Sequence, residues 1–176
     1  MKRICAASFV MIMVFALAAR AQTTPPPPGP EHKKLSVFVG TWIGEGKAET
    51  SPLGKGGVVK NSMKCGWFTG GYHLVCDSED SGPMGIVKSH GIYGYSAEKK
   101  QYFSFGVDST GFGGPGTARV DGSNWTFEGS DVMGGKTIWF RTVVRLTSSA
   151  ELSYKSEYSE DGKSWKPQAE GKMAKK

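Results

Sequence analysis

From Trp42 to the C-terminus, apolar residues recur at every second position over short runs, and no stretch sustains a spacing of three and four. That period belongs to strands with one buried face, not to amphipathic helices. Runs rich in Val, Ile, Thr and aromatic residues predict strands at about 42–50, 58–68, 72–79, 85–95, 101–108, 117–121, 125–130, 137–146, 151–159 and 164–173. Between them lie turn signals such as Gly54-Lys55-Gly56-Gly57, Gly70-Gly71, Ser81-Gly82-Pro83, Asp121-Gly122-Ser123-Asn124, Gly134-Gly135 and Asp161-Gly162. Every connection is hairpin-sized, so consecutive strands are expected to pair antiparallel. The fold class read from this pattern is all-β. It is an up-and-down antiparallel barrel of about ten strands, because closure removes the exposed edges of an open sheet. Phe112-Gly113-Gly114-Pro115-Gly116 reads as a mobile loop at the barrel mouth.

One short helix is expected before the first strand. Pro30 suits a first helical position, Leu35, Phe38 and Val39 fall on one face, and Gly40 stops it. A helix of a turn or two with one apolar face suits the role of plug in a barrel end.

The N-terminus has a different pattern. Met1-Lys2-Arg3 is cationic, Ile4 to Ala19 carries no charge, and Ala19-Arg20-Ala21 gives the small-x-small site of a cleaved secretory leader. The uncharged run is shorter than the roughly 20 residues that span a bilayer. Residues 1–21 are therefore read as a signal peptide, which places the protein in the periplasm or outside the cell, with no membrane span after cleavage. Residues 22–30, including Pro25-Pro26-Pro27-Pro28, read as an extended linker. Residues 31–176 form the barrel domain, long enough for one core and too short for two.

Export leaves Cys65 and Cys76 as the only cysteines, and an oxidising compartment favours a bridge between them. A symmetric turn at Gly70 and Gly71 opposes residues whose numbers sum to 141, a condition Cys65 and Cys76 satisfy. The same register sets Trp67 against Leu74 on the cysteine face and Lys64 against Asp77 on the other. A two-residue loop would put the cysteines at a hydrogen-bonded pair, a less comfortable site for a disulfide.

Charge narrows the partners. Of a formal +6, the leader's Lys2, Arg3 and Arg20 account for half, and Lys172, Lys175 and Lys176 at the C-terminus for the rest. No basic cluster marks a nucleic-acid surface.

Gly40-Thr41-Trp42, following a short helix and opening the first strand, resembles the Gly-x-Trp signature of lipocalins and their calycin relatives. The resemblance implies that Trp42 packs across the closed end of the barrel and that Gly40, Trp42, Gly70 and Gly71 are structural. More specifically, the chain resembles secreted bacterial lipocalin-like proteins grouped as a domain of unknown function, through Gly40-Thr41-Trp42, Gly70-Gly71-Tyr72-His73-Leu74, Gly94-Tyr95 and Asp108-Ser109. It departs from them at Ser96, where an acid is usual. The opening Gly40 to Gly46 is also similar to nitrobindin-type haem barrels, more distant relatives along with fatty-acid-binding barrels. Those haem barrels use a late histidine; here the only histidines are His32, His73 and His90, so no cofactor is expected.

Alternation assigns candidate inward positions. Residues 138, 140, 144 and 146 oppose Trp139, Arg141 and Arg145, while Phe103, Phe105 and Val107 oppose Tyr102, Ser104 and Gly106. The lumen candidates for ligand contact are Phe103, Phe105, Trp125, Phe140 and Tyr154, with Arg141 and Arg145 outward. A barrel wider than eight strands tends to leave a cavity. The function expected is binding of a small apolar or amphipathic, lipophilic ligand in the lumen, without catalysis. Two other readings stay open: a hydrolase-like enzyme using His73 or His90 with Asp108, and a protein-interaction module built on rim loops 109–116 and 130–136. No Gly-x-Ser-x-Gly elbow and no zinc-type Cys/His spacing is present, so neither catalytic residue nor metal is assigned.

Overall fold

The computed structural model describes residues 26–176; the leader assigned to residues 1–21 lies outside the described residues. Pro30–Lys34 forms helix α1, which tightens into a 3-10 turn at Leu35–Phe38. Ten strands follow: β1 Gly40–Ala48, β2 Gly57–Trp67, β3 His73–Gly82, β4 Gly85–Ser96 and β5 Gln101–Asp108. The second half is β6 Gly113–Asp121, β7 Asn124–Met133, β8 Lys136–Leu146, β9 Glu151–Ser159 and β10 Lys166–Lys175. Each strand pairs antiparallel with its sequence neighbours, and β10 pairs with β1 from Trp42↔Lys175 to Ala48↔Ala169, closing the barrel. The all-β, ten-stranded expectation with its short N-terminal helix therefore holds.

Two boundaries differ from the sequence reading, and both shorten loops. Residues Gly113–Gly116 are not a mobile loop but the first half of β6, paired with β5 through Phe105↔Pro115 and Val107↔Gly113. A proline is tolerated there because β6–β7 pairing begins only at Gly116↔Gly129, so the ladder on that side asks no N–H of Pro115. Likewise β7 and β8 extend to Met133↔Lys136, reducing the 130–136 rim loop to the Gly134-Gly135 turn. The rim-loop module thus has a short base: Ser109–Phe112 and two glycines.

The helix and 3-10 turn close one end of the barrel. Leu35 and Phe38 are buried and pack with Leu74, Tyr102, Ala118, Trp125 and the Cys65–Cys76 pair. Phe38 meets Trp125 edge-on at 5.3 Å between centroids. Trp42 has 0% of its surface exposed, and its Nε1 donates to the Phe38 carbonyl at 2.9 Å. Gly40, at φ 124°, turns the chain from this plug into β1. The Tyr102 hydroxyl donates to Glu31 Oε2 at 2.5 Å, tying the helix to β5. The last part of the proline-rich linker is held too: the Tyr72 hydroxyl donates to the Pro26 carbonyl.

Cys65 and Cys76 form a disulfide in the expected register, with Lys64↔Asp77 and Trp67↔Leu74 beside them. The connecting loop is longer than two residues. Phe68 N–H bonds the His73 carbonyl at 2.8 Å, leaving Thr69 to Tyr72 as the loop. That shift of parity makes 68–73 a hydrogen-bonded pair and 65–76 a non-hydrogen-bonded one, the closer kind, with Cα atoms 4.1 Å apart. The cysteines therefore do not occupy the hydrogen-bonded site that a two-residue loop would impose. Gly70 and Gly71, at φ 94° and 73°, supply the left-handed residues this loop needs.

Candidate functional site

Above the plug the lumen is hollow. One lobe of about 360 Å³ rests on Phe38, Leu74 and the disulfide, and a second of about 540 Å³ runs to the open mouth at Leu53, Met84 and Phe112. They meet at Met63, Ser78, Tyr93, Ser104, Phe127 and Thr142. Both volumes lie in the range of small-molecule sites.

Directly paired residues in an antiparallel sheet share a face, so the register states which side chains look inward. On β2, β3 and β4 these include Asn61 and Met63, Ser78 and Asp80, and Tyr93. On β5 they are Tyr102, Ser104, Gly106 and Asp108, the face opposite to that expected. Phe103 and Phe105 consequently point outward. Phe103 lies over His73 with ring centroids 5.8 Å apart, and Phe105 is 49% exposed. These two lumen assignments are corrected. The inward face of β5 carries a tyrosine that anchors the plug, then small residues that leave room for the cavity, so the more apolar face is the outer one. Trp125 does point inward, but at 2% exposure it belongs to the packed floor. Phe140 lines the mouth lobe and Tyr154 the floor lobe. Arg141 faces outward, pairing with Glu157 at 2.6 Å and lying over Trp165.

A polar chain crosses one wall. The Tyr154 hydroxyl donates to Asn61 Oδ1 at 2.8 Å, and Asn61 Nδ2 donates to Asp80 Oδ1 at 2.7 Å. Tyr154 stands on β9 and Asn61 on β2, with β10 and β1 between them. The ring reaches across because Gly171 of β10 and Gly46 of β1, paired directly, carry no side chains; a Cβ at Gly171 would stand 2.7 Å from the Tyr154 oxygen. Burial pushes the Asp80 carboxyl above its ordinary pKa, partly offset by the Asn61 bond. Burial, then the nearby Asp80, raises Tyr154, and burial raises Tyr93. Thr142 and Ser156 bond each other at 2.9 Å across β8 and β9.

A second wall is bare backbone. Gly91, Gly106 and Gly114 are paired in a row across β4, β5 and β6, and Gly116 pairs with Gly129 of β7. Sequence reasoning missed Asn61, Asp80, Tyr93 and this wall. Their signal is present as small or polar residues at the inward parity, which a rule that reads apolar residues as the inside does not find.

The proposed catalytic grouping is not assembled. His73 and His90 lie on the outer face by register, His90 with its Nδ1 2.8 Å from Asp77. Asp108 faces inward and is occupied with its own loop, accepting from Thr110 N–H at 2.7 Å and Phe112 N–H at 3.1 Å. His32 packs edge-on against Tyr72 and Tyr95 at the plug. Among the described residues no group of three His, Cys, Asp or Glu side chains is placed to hold a metal, and no helix is long and apolar enough to cross a membrane.

A family model described as "Protein of unknown function (DUF1579)" matches residues 27–175. No curated protein matches. Among solved structures, Rv2717c from M. tuberculosis is similar at TM-score 0.64 and 15% identity, covering 85% of this chain and 99% of that one. Its likeness establishes the barrel fold. Two structures bound to DFHBI, EF1p2_mFAP2b and the redesigned beta barrel mFAP0, lie further off. EF1p2_mFAP2b has TM-score 0.46 and 10% identity, with 82% of this chain and 98% of that one covered. mFAP0 has 0.45 and 10%, with 79% and 99% covered; neither carries an argument about this chain.

Proposed function

From a chain that belongs to the DUF1579 family of proteins of unknown function, and whose barrel is hollow above its plug, we propose an extracytoplasmic binding protein that takes a small apolar or amphipathic molecule in its lumen. The observation that supports this most is the pairing of an apolar floor with polar groups at one side. Met63, Phe127, Val144 and the disulfide offer apolar contact, while Asn61, Asp80 and Tyr154 offer hydrogen bonds. The extracytoplasmic assignment rests on the leader pattern of residues 1–21 and agrees with a disulfide, a bond favoured in oxidising compartments.

Native mass spectrometry of protein purified from its own host, followed by extraction of whatever co-purifies, tests the binding role. One small molecule per chain, released on unfolding, is the expected result. Protein that arrives empty and takes up nothing from a broad lipophilic panel overturns it. The same spectra test export: the mass should lack residues 1–21, and a mass retaining Met1 defeats that assignment.

A further inference from the structure

The charges of the lumen are one-sided. Among the described residues, no lysine or arginine lines either lobe. Asp80 is the one carboxylate lining the floor lobe, and Asp108 and Asp131 face inward nearer the mouth. Asp131 Oδ2 accepts from Gly113 N–H at 3.0 Å, and Asp108 holds its loop, so both are engaged locally. Asp80 differs: it lines the floor lobe, and among the described residues its one hydrogen bond comes from Asn61 Nδ2 to Oδ1, where Asp108 accepts three. Beside it the Tyr154 hydroxyl and the Asn61 amide are already turned toward each other, which fixes the carboxylate's orientation without neutralising it. A carboxylate kept in a partly buried cavity without a basic partner is costly to desolvate, and a cation arriving in the cavity relieves that cost.

The geometry points to a ligand that is a cationic amphiphile, a protonated amine on a compact apolar or aromatic body, with its ammonium on Asp80 and its body over Met63 and Phe127. This rests on the lumen-binding reading above and names the class of ligand. A carboxylate-headed molecule of the same shape meets Asp80 with like charge and finds no cationic side chain to receive it. The floor lobe has the volume of about a dozen liquid waters, which suits a two-ring body and not a long acyl chain.

Three probes with one body separate the outcomes: 2-(2-naphthyl)ethylamine, 2-(2-naphthyl)ethanol and 2-naphthylacetate, titrated calorimetrically at neutral pH into the full mature chain and into Asp80→Asn. The wild type is expected to bind the amine about tenfold more tightly than the alcohol, the size of one charge-assisted hydrogen bond, and the acetate least. In Asp80→Asn the amine should lose about that tenfold while the alcohol stays within about twofold. The variant keeps an acceptor for Asn61 and loses a buried charge, and the alcohol reports that its lumen is intact. If the amine and acetate bind equally, or Asp80→Asn leaves the amine unaffected while the alcohol binds, the head-group assignment is overturned and the lumen reading stands. If none of the three binds the wild type, both fall.

Discussion

Single residues carry two separable burdens in this barrel, closing its floor and lining its lumen. Trp42 belongs to the first: it is wholly buried and bonded to the Phe38 carbonyl. Trp42→Ala should cost about 3–5 kcal/mol, read from urea unfolding of the oxidised protein, because the floor is braced by the barrel and collapses little around a void. Asp80 belongs to the second. Its folded pKa lies above the 3.8 of an unhindered aspartate, so the folded state holds its proton more tightly than the unfolded state. The contribution of this group to stability therefore falls as pH rises from 3.8 through the raised value and is level above it. Asp80→Asn should remove that dependence, and its stability relative to wild type should be greatest above the raised pKa. Unfolding curves across pH 3.5 to 8, a window of about those limits, measure the difference.

At the scale of elements, the plug and the hairpins hold the barrel in register. Helix α1 is a short piece that would not persist alone in water; it is kept by Leu35, Phe38 and the Tyr102–Glu31 bond. That bond, followed by Lys34, holds the Glu31 carboxyl below its usual value. Tyr102→Phe should raise the Glu31 pKa, seen by carboxyl NMR titration, and quicken hydrogen exchange across residues 30–38 before the strands respond. A lowered carboxyl stabilises above its unfolded pKa and loses that support as pH falls through the folded one, and the loss should shrink in the variant. The expected cost is modest, about 1 kcal/mol, because Glu31 is partly exposed.

Closure is a property of the whole molecule. β10 is the last strand in sequence, yet it supplies the partner for β1, so no strand is left with an open edge. A chain ending before Lys166 would expose the edges of β1 and β9 together and open the lumen. That truncation is expected to aggregate or remain unfolded, judged by size-exclusion chromatography and near-ultraviolet circular dichroism. A soluble monomer with native spectra would show the closing strand to be dispensable.

Strand number, antiparallel order, the plug and the Cys65–Cys76 register were legible in the sequence, because each follows from local period, turn residues or a numerical constraint between neighbours. Which face of residues 101–108 points inward was not. Alternation shows that two faces differ, but assigning the more apolar one to the interior assumes a filled core, and this interior holds a cavity lined in part by serine, glycine and aspartate. Tertiary structure reversed that face through Tyr102, which must reach Glu31 at the plug. It also decided the parity of the β2–β3 hairpin, where a loop of four residues and one of two have the same numerical sum. Asn61, Asp80 and Tyr154 converge for a similar reason: their contacts span as many as 93 residues of sequence, and only barrel closure carries β9 across glycines of β10 and β1 to face β2. Local patterns determined the strands; closure, which no local pattern contains, determined what the strands enclose.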